Sequence, residues 1–309
     1  MKKISIVIPA YNEEGNIPLI HEKIKNVFSQ LDHYDFEIIF VNDGSRDNTQ
    51  QILEQLSEQH EEIKFIEFSR NFGHQPAVKA GIDVSYGNAV ISMDGDLQHP
   101  PELIPEMIRK WEEGYDIVYT IRTYPKQISY FKRKTSDFFY VILSGLSDVN
   151  LTKGGGSDFR LMDAGAVEVM RNFTEDDLFL RGLTSWMGYK QIGINFTANE
   201  RLAGESSYNL KKMLTFAFTG ITAFSVKPLY IAAYLGFLFS GVSVVGYILY
   251  VIYSFISKTE ISGWASLIMT IVFFGGIQLI ILGIIGIYLG KIFKQMKGRP
   301  NYIIKSKNL

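Results

Sequence analysis

The chain has 309 residues, no cysteine, and 31 basic against 32 acidic side chains, giving a net charge of −1. The absence of cysteine excludes disulfides, thiolate nucleophiles and cysteine-based metal sites, and the near-neutral balance argues against a general nucleic-acid binder. An apolar share of 47 % supports a substantial core, but it is unevenly spread: Pro228 to Ser257 and Ile261 to Gly290 contain no Asp, Glu, Lys or Arg.

The amino terminus, MKKISIVIPAYNEE, has an apolar run of strand length that leads straight into acidic residues. It is expected not to be a cleavable leader, so the first part of the chain is expected to stay in the cytosol. A strand at Ile4–Ile8 precedes a helix through Ile17, Ile20, Ile24, Val27, Phe28 and Leu31, a spacing that keeps one face apolar. Further strands are expected at Phe36–Val41, Ile63–Phe68, Ala89–Met93 and Ile117–Ile121, with helices near Thr49–Gln59, Gln75–Val84 and Glu102–Glu113. This alternation predicts an α/β domain, a mostly parallel sheet with helices on both faces. Ligands of such sheets bind beyond the carboxyl ends of the strands. There the sequence is polar: Pro9, Tyr11, Asn12, Glu13 and Glu14, then Asn42, Asp43, Gly44 and Ser45, then Asp94, Gly95 and Asp96. Three carboxylate-bearing turns are expected to converge on one edge.

Two mixed stretches follow. Ile128 to Leu146 puts Ile128, Phe131, Phe138, Val141, Ile142 and Leu146 near one helical face, and Tyr208 to Phe224 opens with Lys211 and Lys212 ahead of Met213, Leu214, Phe216 and Phe218. Both read as interfacial amphipathic helices with basic groups near anionic headgroups, or as helices packed on the sheet or on a neighbouring subunit. The two uncharged stretches are each long enough to cross a hydrocarbon core of about 30 Å. They read as membrane spans at 228–257 and 265–290, joined by a short external loop at 258–264. The tail from Lys291 carries Lys294, Lys297, Arg299, Lys305 and Lys307 without an acid. By the positive-inside rule both termini are expected to be cytoplasmic.

The most informative feature is MDGDLQHPPE, Met93 to Glu102, where an apolar strand runs into two carboxylates one residue apart. A nucleotide sugar leaves its diphosphate with growing negative charge. Carboxylates can hold a divalent cation that bridges the phosphates, and a hard oxygen site suits Mg²⁺ or Mn²⁺. If the turn is extended, Asp94 and Asp96 face opposite sides, one toward a ribose and the other toward the metal. NDGSRDNT, Asn42 to Thr49, reads equally as a turn and helix cap, with Ser45 or Asp47 accepting from early helix N–H groups. Asp43 there could also accept from the imide N–H of uracil.

Taken together, VIPAYNEE, VNDGSRDNT and DGDLQHPPE resemble the family 2 glycosyltransferases with a GT-A-type, Rossmann-like nucleotide-binding domain. FSRNFGHQPAVKAG (Phe68 to Gly81), GGGSDFRLMD (Gly154 to Asp163), FLRGLTSWMGYKQ (Phe179 to Gln191) and ERLAGESSYNLKKM (Glu200 to Met213) resemble one subgroup, the bactoprenol-phosphate glucosyltransferase-like enzymes related to dolichol-phosphate mannose synthase. The resemblance runs through the paired spans to the closing GRPNYIIK.

It implies a catalytic domain over residues 1–225, a UDP-sugar donor, a polyprenyl phosphate acceptor and the bilayer as a partner, while a homo-oligomer is expected through the spans. Pro9, Tyr11, Glu13, Asp43, Lys79 and Asp94 then fall in the nucleotide pocket, with Asp94 and Asp96 at the diphosphate and metal. Asp158 of SDFRLMD falls at the position that acts on the acceptor, and Arg201, in ERLAGESSY, resembles an arginine facing a phosphate. Asp96, Asp158 and Arg201 are the catalytic candidates, and Arg122 is a second phosphate-binding candidate or a surface ion pair. A polyprenyl phosphate has a second pKa of about 6 and is mostly an oxyanion at neutral pH, so Asp158 scarcely has to act as a base. It could instead position the acceptor, ligate metal or pair in the interior with Arg160; His74 and His99 read as structural or loop residues. A processive polysaccharide synthase would need a Gln-x-x-Arg-Trp motif, whereas the chain reads LRGLTSWMG around Trp186. A non-catalytic membrane scaffold or lipid-sugar carrier is the rival of another class. The sugar is left open: glucose by resemblance, with galactose, mannose, N-acetylglucosamine and aminoarabinose as alternatives.

Overall fold

The computed structural model describes residues 1–123, 158–176, 178–197, 222, 225–257 and 263–309. In chain order these form β1 (Lys2–Ala10), α1 (Ile17–Phe28), β2 (Tyr34–Asn42), α2 (Thr49–Gln59), β3 (Ile63–Phe68), α3 (His74–Val84) and β4 (Ala89–Ser92). A short 3₁₀ turn then precedes α4 (Ile104–Glu112), followed by β5 (Ile117–Thr123), β6 (Arg160–Asp163), α5 (Ala164–Arg171), α6 (Leu180–Trp186) and β7 (Gln191–Thr197). Two long helices, α7 (Lys227–Ser257) and α8 (Trp264–Met296), and a closing strand β8 (Ile304–Asn308) complete the described elements.

One eight-stranded sheet runs in the order β7-β5-β6-β4-β1-β2-β3-β8. β1 pairs in parallel with β2 and β4, as does β2 with β3, whereas β6 runs antiparallel between β4 and β5. The central strands are apolar along their length because both faces are covered. Ile4, Ile6 and Ile8 of β1 pack with Ile20 and Ile24 of α1, Leu53 of α2 and Met107 of α4. Val7 points the other way, toward Val78 and Ile82 of α3 and Val167 of α5. The period-two alternation of a strand divides one apolar run between two cores, and burying each such side chain contributes about 1.5–3 kcal/mol.

The structure adds elements the sequence pattern leaves unmarked: β6, α5, α6, β7 and β8. β6 is four residues long with a buried arginine, and β8 reads IKSKN, too polar to stand out as a strand. β8 joins β3 antiparallel, and around it Tyr302 stacks on Phe68 at 5.1 Å and donates to Asp83 at 2.9 Å. Helix α8 runs six residues past Gly290, and its Gln295 holds the backbone after α5 by accepting from Asp176 N–H and donating to the Thr174 carbonyl.

Helices α7 and α8 are long and apolar enough to cross a membrane. Their apolar side chains lie outside any core, with Phe237 79 % and Leu279 71 % exposed, as lipid-facing helices are and buried core helices are not. The stretch at 128–146 expected to be amphipathic, that at 208–224 but for residue 222, Arg201, the side chain of Arg122 and residues 258–262 of the expected inter-span loop at 258–264 lie outside the described residues.

Candidate functional site

Because β1 lies between β2 and β4, the loops that follow these three strands meet at one sheet edge. The first two interlock. Asn12 N–H donates to Ser45 Oγ at 2.9 Å, Arg46 N–H to Asn12 Oδ1 at 2.9 Å, Glu13 N–H to Thr49 Oγ1 at 3.0 Å and Asn48 N–H to Glu14 Oε2 at 3.0 Å. Asn12 takes φ 57°, a conformation that asparagine tolerates better than most residues. The side chains of Ser45 and Thr49 thus tie loop to loop. Asp47 is both a local cap and a tie, its Oδ1 accepting from Thr49 N–H at 3.1 Å and its Oδ2 from Glu14 N–H of the first loop at 3.3 Å.

Asp43 is buried, and its two carboxylate oxygens accept from Phe72 N–H at 2.6 Å and Gly73 N–H at 2.9 Å. Burial pushes its carboxyl up, only partly offset by these two backbone donors. The contact draws the loop after β3 across the second loop at Gly44. That residue has φ +66°, and a Cβ there would lie 2.4 Å from the Arg70 carbonyl carbon, so only glycine fits. Gly73, at φ +107°, then turns the chain into α3 and delivers His74 as its first residue.

His74 stands at the centre of the site. Its Nε2 lies 2.7 Å from Asp94 Oδ1, and its Nδ1 lies 3.9 Å from Asp158 Oδ2. Burial lowers the imidazole's pKa, but the hydrogen bond to Asp94 and the two carboxylates outweigh it and hold His74 above its usual value. Asp94 is driven up by burial and more strongly down by His74 and His99. His99 is buried against Phe159, 5.3 Å between ring centroids, and its Nδ1 accepts from Asp94 N–H at 2.9 Å. Its ring proton therefore sits on Nε2, 3.6 Å from Asp94 Oδ2. Asp96 Oδ1 accepts from Gln98 N–H at 3.1 Å. Across from it, Glu13 is pushed up by burial and by the charges of Asp96, Asp47 and Asp94, against the hydrogen bond from Asn16.

Asp158 takes a two-pronged hydrogen bond from Arg181 of α6, with Nε on one oxygen and Nη2 on the other, both at 2.8 Å. Arg160, one of the partners weighed from sequence, comes to 4.0 Å and donates to Thr184. Burial drives the Asp158 carboxyl up, but Arg181, with Arg160 and His74 behind it, holds it far below the usual carboxylate range. Burial pulls Arg160 down to about 10.

Of the residues singled out from sequence, Pro9, Tyr11, Glu13, Asp43, Asp94, Asp96 and Asp158 lie at this edge. Lys79 does not. Its ammonium is engaged by Asp83 at 2.5 Å and by the Arg171 carbonyl at 3.2 Å, toward the far end of α3. Arg122 lies near the end of β5, opposite Phe196 in the ladder. Two members escaped the sequence reading: His74, taken there for a structural or loop residue, and Arg181, whose partner is 23 positions away. One ligand atom from each of His74, Asp94 and Asp158 falls within 4.8 Å of the others; with both Asp158 oxygens engaged by Arg181, the carboxylates of the Asp94–Asp96 turn are the ones that would fit a hard divalent cation.

A family model described as "Glycosyl transferase family 2" matches residues 5–170. The chain belongs to glycosyl transferase family 2. An uncharacterized glycosyltransferase of Bacillus subtilis is 47 % identical to it over 302 residues, covering 97 % of this chain and 93 % of that one. The bactoprenol glucosyl transferase of Shigella phage SfX is 38 % identical over 305 residues, covering 99 % of both. This family 2 glycosyltransferase is therefore an enzyme related to bactoprenol glucosyl transferases along its whole length. A solved mannosyltransferase from Pyrobaculum calidifontis, in complex with GDP-Man and Mn²⁺, has a TM-score of 0.49 at 17 % identity over 72 % of this chain and 63 % of that one, a likeness too loose to carry an argument about this chain.

Proposed function

We propose that this glycosyltransferase moves a hexose, glucose in first place, from a UDP-sugar to a polyprenyl phosphate with inversion at the anomeric carbon. The observation that carries the reading is Asp158, fixed by Arg181 beside Asp94 on the donor edge of a chain that ends in two lipid-facing helices. Similarity to the phage bactoprenol glucosyl transferase over 99 % of both chains supports the acceptor class.

In this reading Glu13 and Asp43 line the nucleotide pocket with Pro9 and Tyr11. Asp43 keeps acceptor capacity for a uracil imide N–H, because a carboxylate offers about four lone-pair sites and two are used. Asp94 and Asp96 would hold Mg²⁺ or Mn²⁺, which neutralises charge growing on the leaving diphosphate. A phosphate oxygen of the acceptor forms the new bond to the anomeric carbon, and the old carbon–oxygen bond breaks with its electron pair leaving on UDP. No proton has to be removed. A carboxylate held as acidic as Asp158 is a poor base near neutrality, so its role is positional: with Arg181 it fixes the acceptor side of the cleft. Arg122 and Arg201 are assigned to the acceptor phosphate, whose charge their guanidinium groups match. Much of the rate comes from holding two polyanions in line.

The reading extends to topology: a cytoplasmic domain over 1–225 with amphipathic segments near 128–146 and 208–224, spans at 228–257 and 265–290, an external loop at 258–264 and a cytoplasmic tail from 291. Pairing of β8 with β3 supports it, since a tail that adds a strand to the catalytic sheet lies on the sheet's side of the membrane. A long prenyl chain leaves lipid at a cost of about 0.8 kcal/mol per CH₂, so the cleft has to come to the bilayer surface. The test is incubation of purified full-length protein with undecaprenyl phosphate, Mg²⁺ and separately labelled UDP-sugars. UDP-glucose should label the lipid phase, and Asp96→Ala should abolish that labelling. Labelling by another UDP-sugar alone replaces the sugar and keeps the reaction, whereas labelling by none refutes the acceptor or the donor class.

A further inference from the structure

The end of the sheet opposite the catalytic loops holds a second group of ligand-type side chains. His21 comes from the middle of α1, His60 caps the end of α2, and Glu62 immediately precedes β3. His21 Nε2 lies 3.2 Å and His60 Nδ1 3.6 Å from the same Glu62 oxygen, and the two rings are 4.5 Å apart, tilted by 54°. One ligand atom from each residue lies within 4.8 Å of the other two. A third nitrogen, Lys25 Nζ, approaches that oxygen at 3.5 Å, but its side chain is 53 % exposed and free to turn into water.

His21 Nε2 at 3.2 Å is at the long end of an ordinary hydrogen bond to Glu62, and Lys25 Nζ at 3.5 Å and His60 Nδ1 at 3.6 Å are longer than one. The spacing suits ligands around an ion. Tetrahedral bonds of about 2.0–2.1 Å set ligand atoms about 3.3 Å apart, close to the two separations found. The backbone beneath is fixed: His60 N–H donates to the Leu56 carbonyl at 2.9 Å, Ile63 N–H to the His60 carbonyl at 3.0 Å, and Ile38 N–H to the Glu62 carbonyl at 2.8 Å. His21 is buried, so its ring is held in place against Glu62 and His60.

We infer that His21, His60 and Glu62 bind one borderline divalent transition-metal ion, Zn²⁺ in first place, with water completing the tetrahedron. Two imidazoles select this class over the hard Mg²⁺ suited to the carboxylates of the catalytic edge. The ion clamps α1 to the α2–β3 corner, far from the donor, and so acts on stability rather than on transfer.

The experiment strips full-length protein in detergent with EDTA and titrates Zn²⁺ by calorimetry in excess Mg²⁺, alongside thermal unfolding with and without Zn²⁺. The wild type should bind one equivalent that survives Asp94→Asn, a change confined to the catalytic cluster. His60→Ala and Glu62→Gln, both at partly exposed positions, should weaken that equivalent at least about tenfold and lose the Zn²⁺-dependent rise in melting temperature. Circular dichroism reports whether each variant folds, and one folded variant suffices. Either the absence of Zn²⁺ binding beyond that removed by Asp94→Asn, or unchanged binding in a folded His60→Ala or Glu62→Gln protein, would overturn the inference.

Discussion

Asp158 is gripped by Arg181 through two hydrogen bonds of 2.8 Å, a pair that joins residues 23 positions apart. Asp43, Asp94 and Asp96 were placed at this edge from sequence because they lie in the turns just past apolar strands, where the loops of a parallel sheet gather. Arg181 carries no local signal: it sits in a seven-residue helix and acquires its role only when the chain brings Asp158 to it from 23 positions away. His74 was passed over because its place depends on Asp43 gripping the backbone of Phe72 and Gly73, which no spacing rule shows. The buried pair makes a test. Arg181→Met strands the Asp158 carboxylate and should cost about 2–3 kcal/mol, less than a fully buried pair because Arg181 is 31 % exposed. Adding Asp158→Asn should restore part of that stability by removing the stranded charge, while leaving transfer at least about 100-fold slow, the usual scale for a lost positioned polar group. Thermal unfolding and transfer rates of the two single variants and the double variant measure both effects.

At the scale of elements, the strands found from sequence are those whose apolar runs are buried on two faces, and β3 and α2 match their expected bounds of Ile63–Phe68 and Thr49–Gln59. β6 and β8 escaped for opposite physical reasons. β6 is too short to show a period, and β8 is an edge strand whose backbone ladder, with Lys305 and Ser306 on Glu67, does the work that apolar side chains do elsewhere. A polar tie also joins β1, β2 and β3: Glu37 accepts from Ser5 Oγ at 2.6 Å and pairs with Lys3 at 2.8 Å and Lys64 at 3.0 Å. Burial pushes this carboxyl up, but Lys3, Ser5 and Lys64 outweigh it and leave it below its reference of 4.5. A group more acidic folded than unfolded contributes stability above the unfolded pKa and loses it as pH falls through the folded one. Wild-type stability should therefore drop as pH falls below 4.5. Glu37→Gln should be about 1–2 kcal/mol less stable near neutrality, with both lysines partly in water, and should show a shallower acid loss. Denaturant unfolding across pH 3–7 compares the two proteins; parallel curves would remove Glu37 from the account.

For the whole molecule, several contacts among the described residues join the catalytic sheet to the long apolar helices: Gln295 at the end of α8 grips the backbone at Thr174 and Asp176, Asn301 donates to the Glu175 carbonyl, and β8 closes the sheet edge beside β3. The two long apolar helices were legible as uncharged runs. The return of the tail into the sheet was not, because its basic residues read as a membrane flank rather than a strand. Sheet, tail and helix ends thus form a connected frame. The most direct measurement is the structure of the full-length protein in a lipid nanodisc with UDP and Mn²⁺. The account predicts that uracil lies by Asp43, that the diphosphate and ion lie at Asp94 and Asp96 with metal–oxygen distances of about 2.1 Å, and that the cleft opens along the bilayer surface. A nucleotide bound away from the Asp94–Asp96 turn, or a cleft facing away from the lipid, would contradict it.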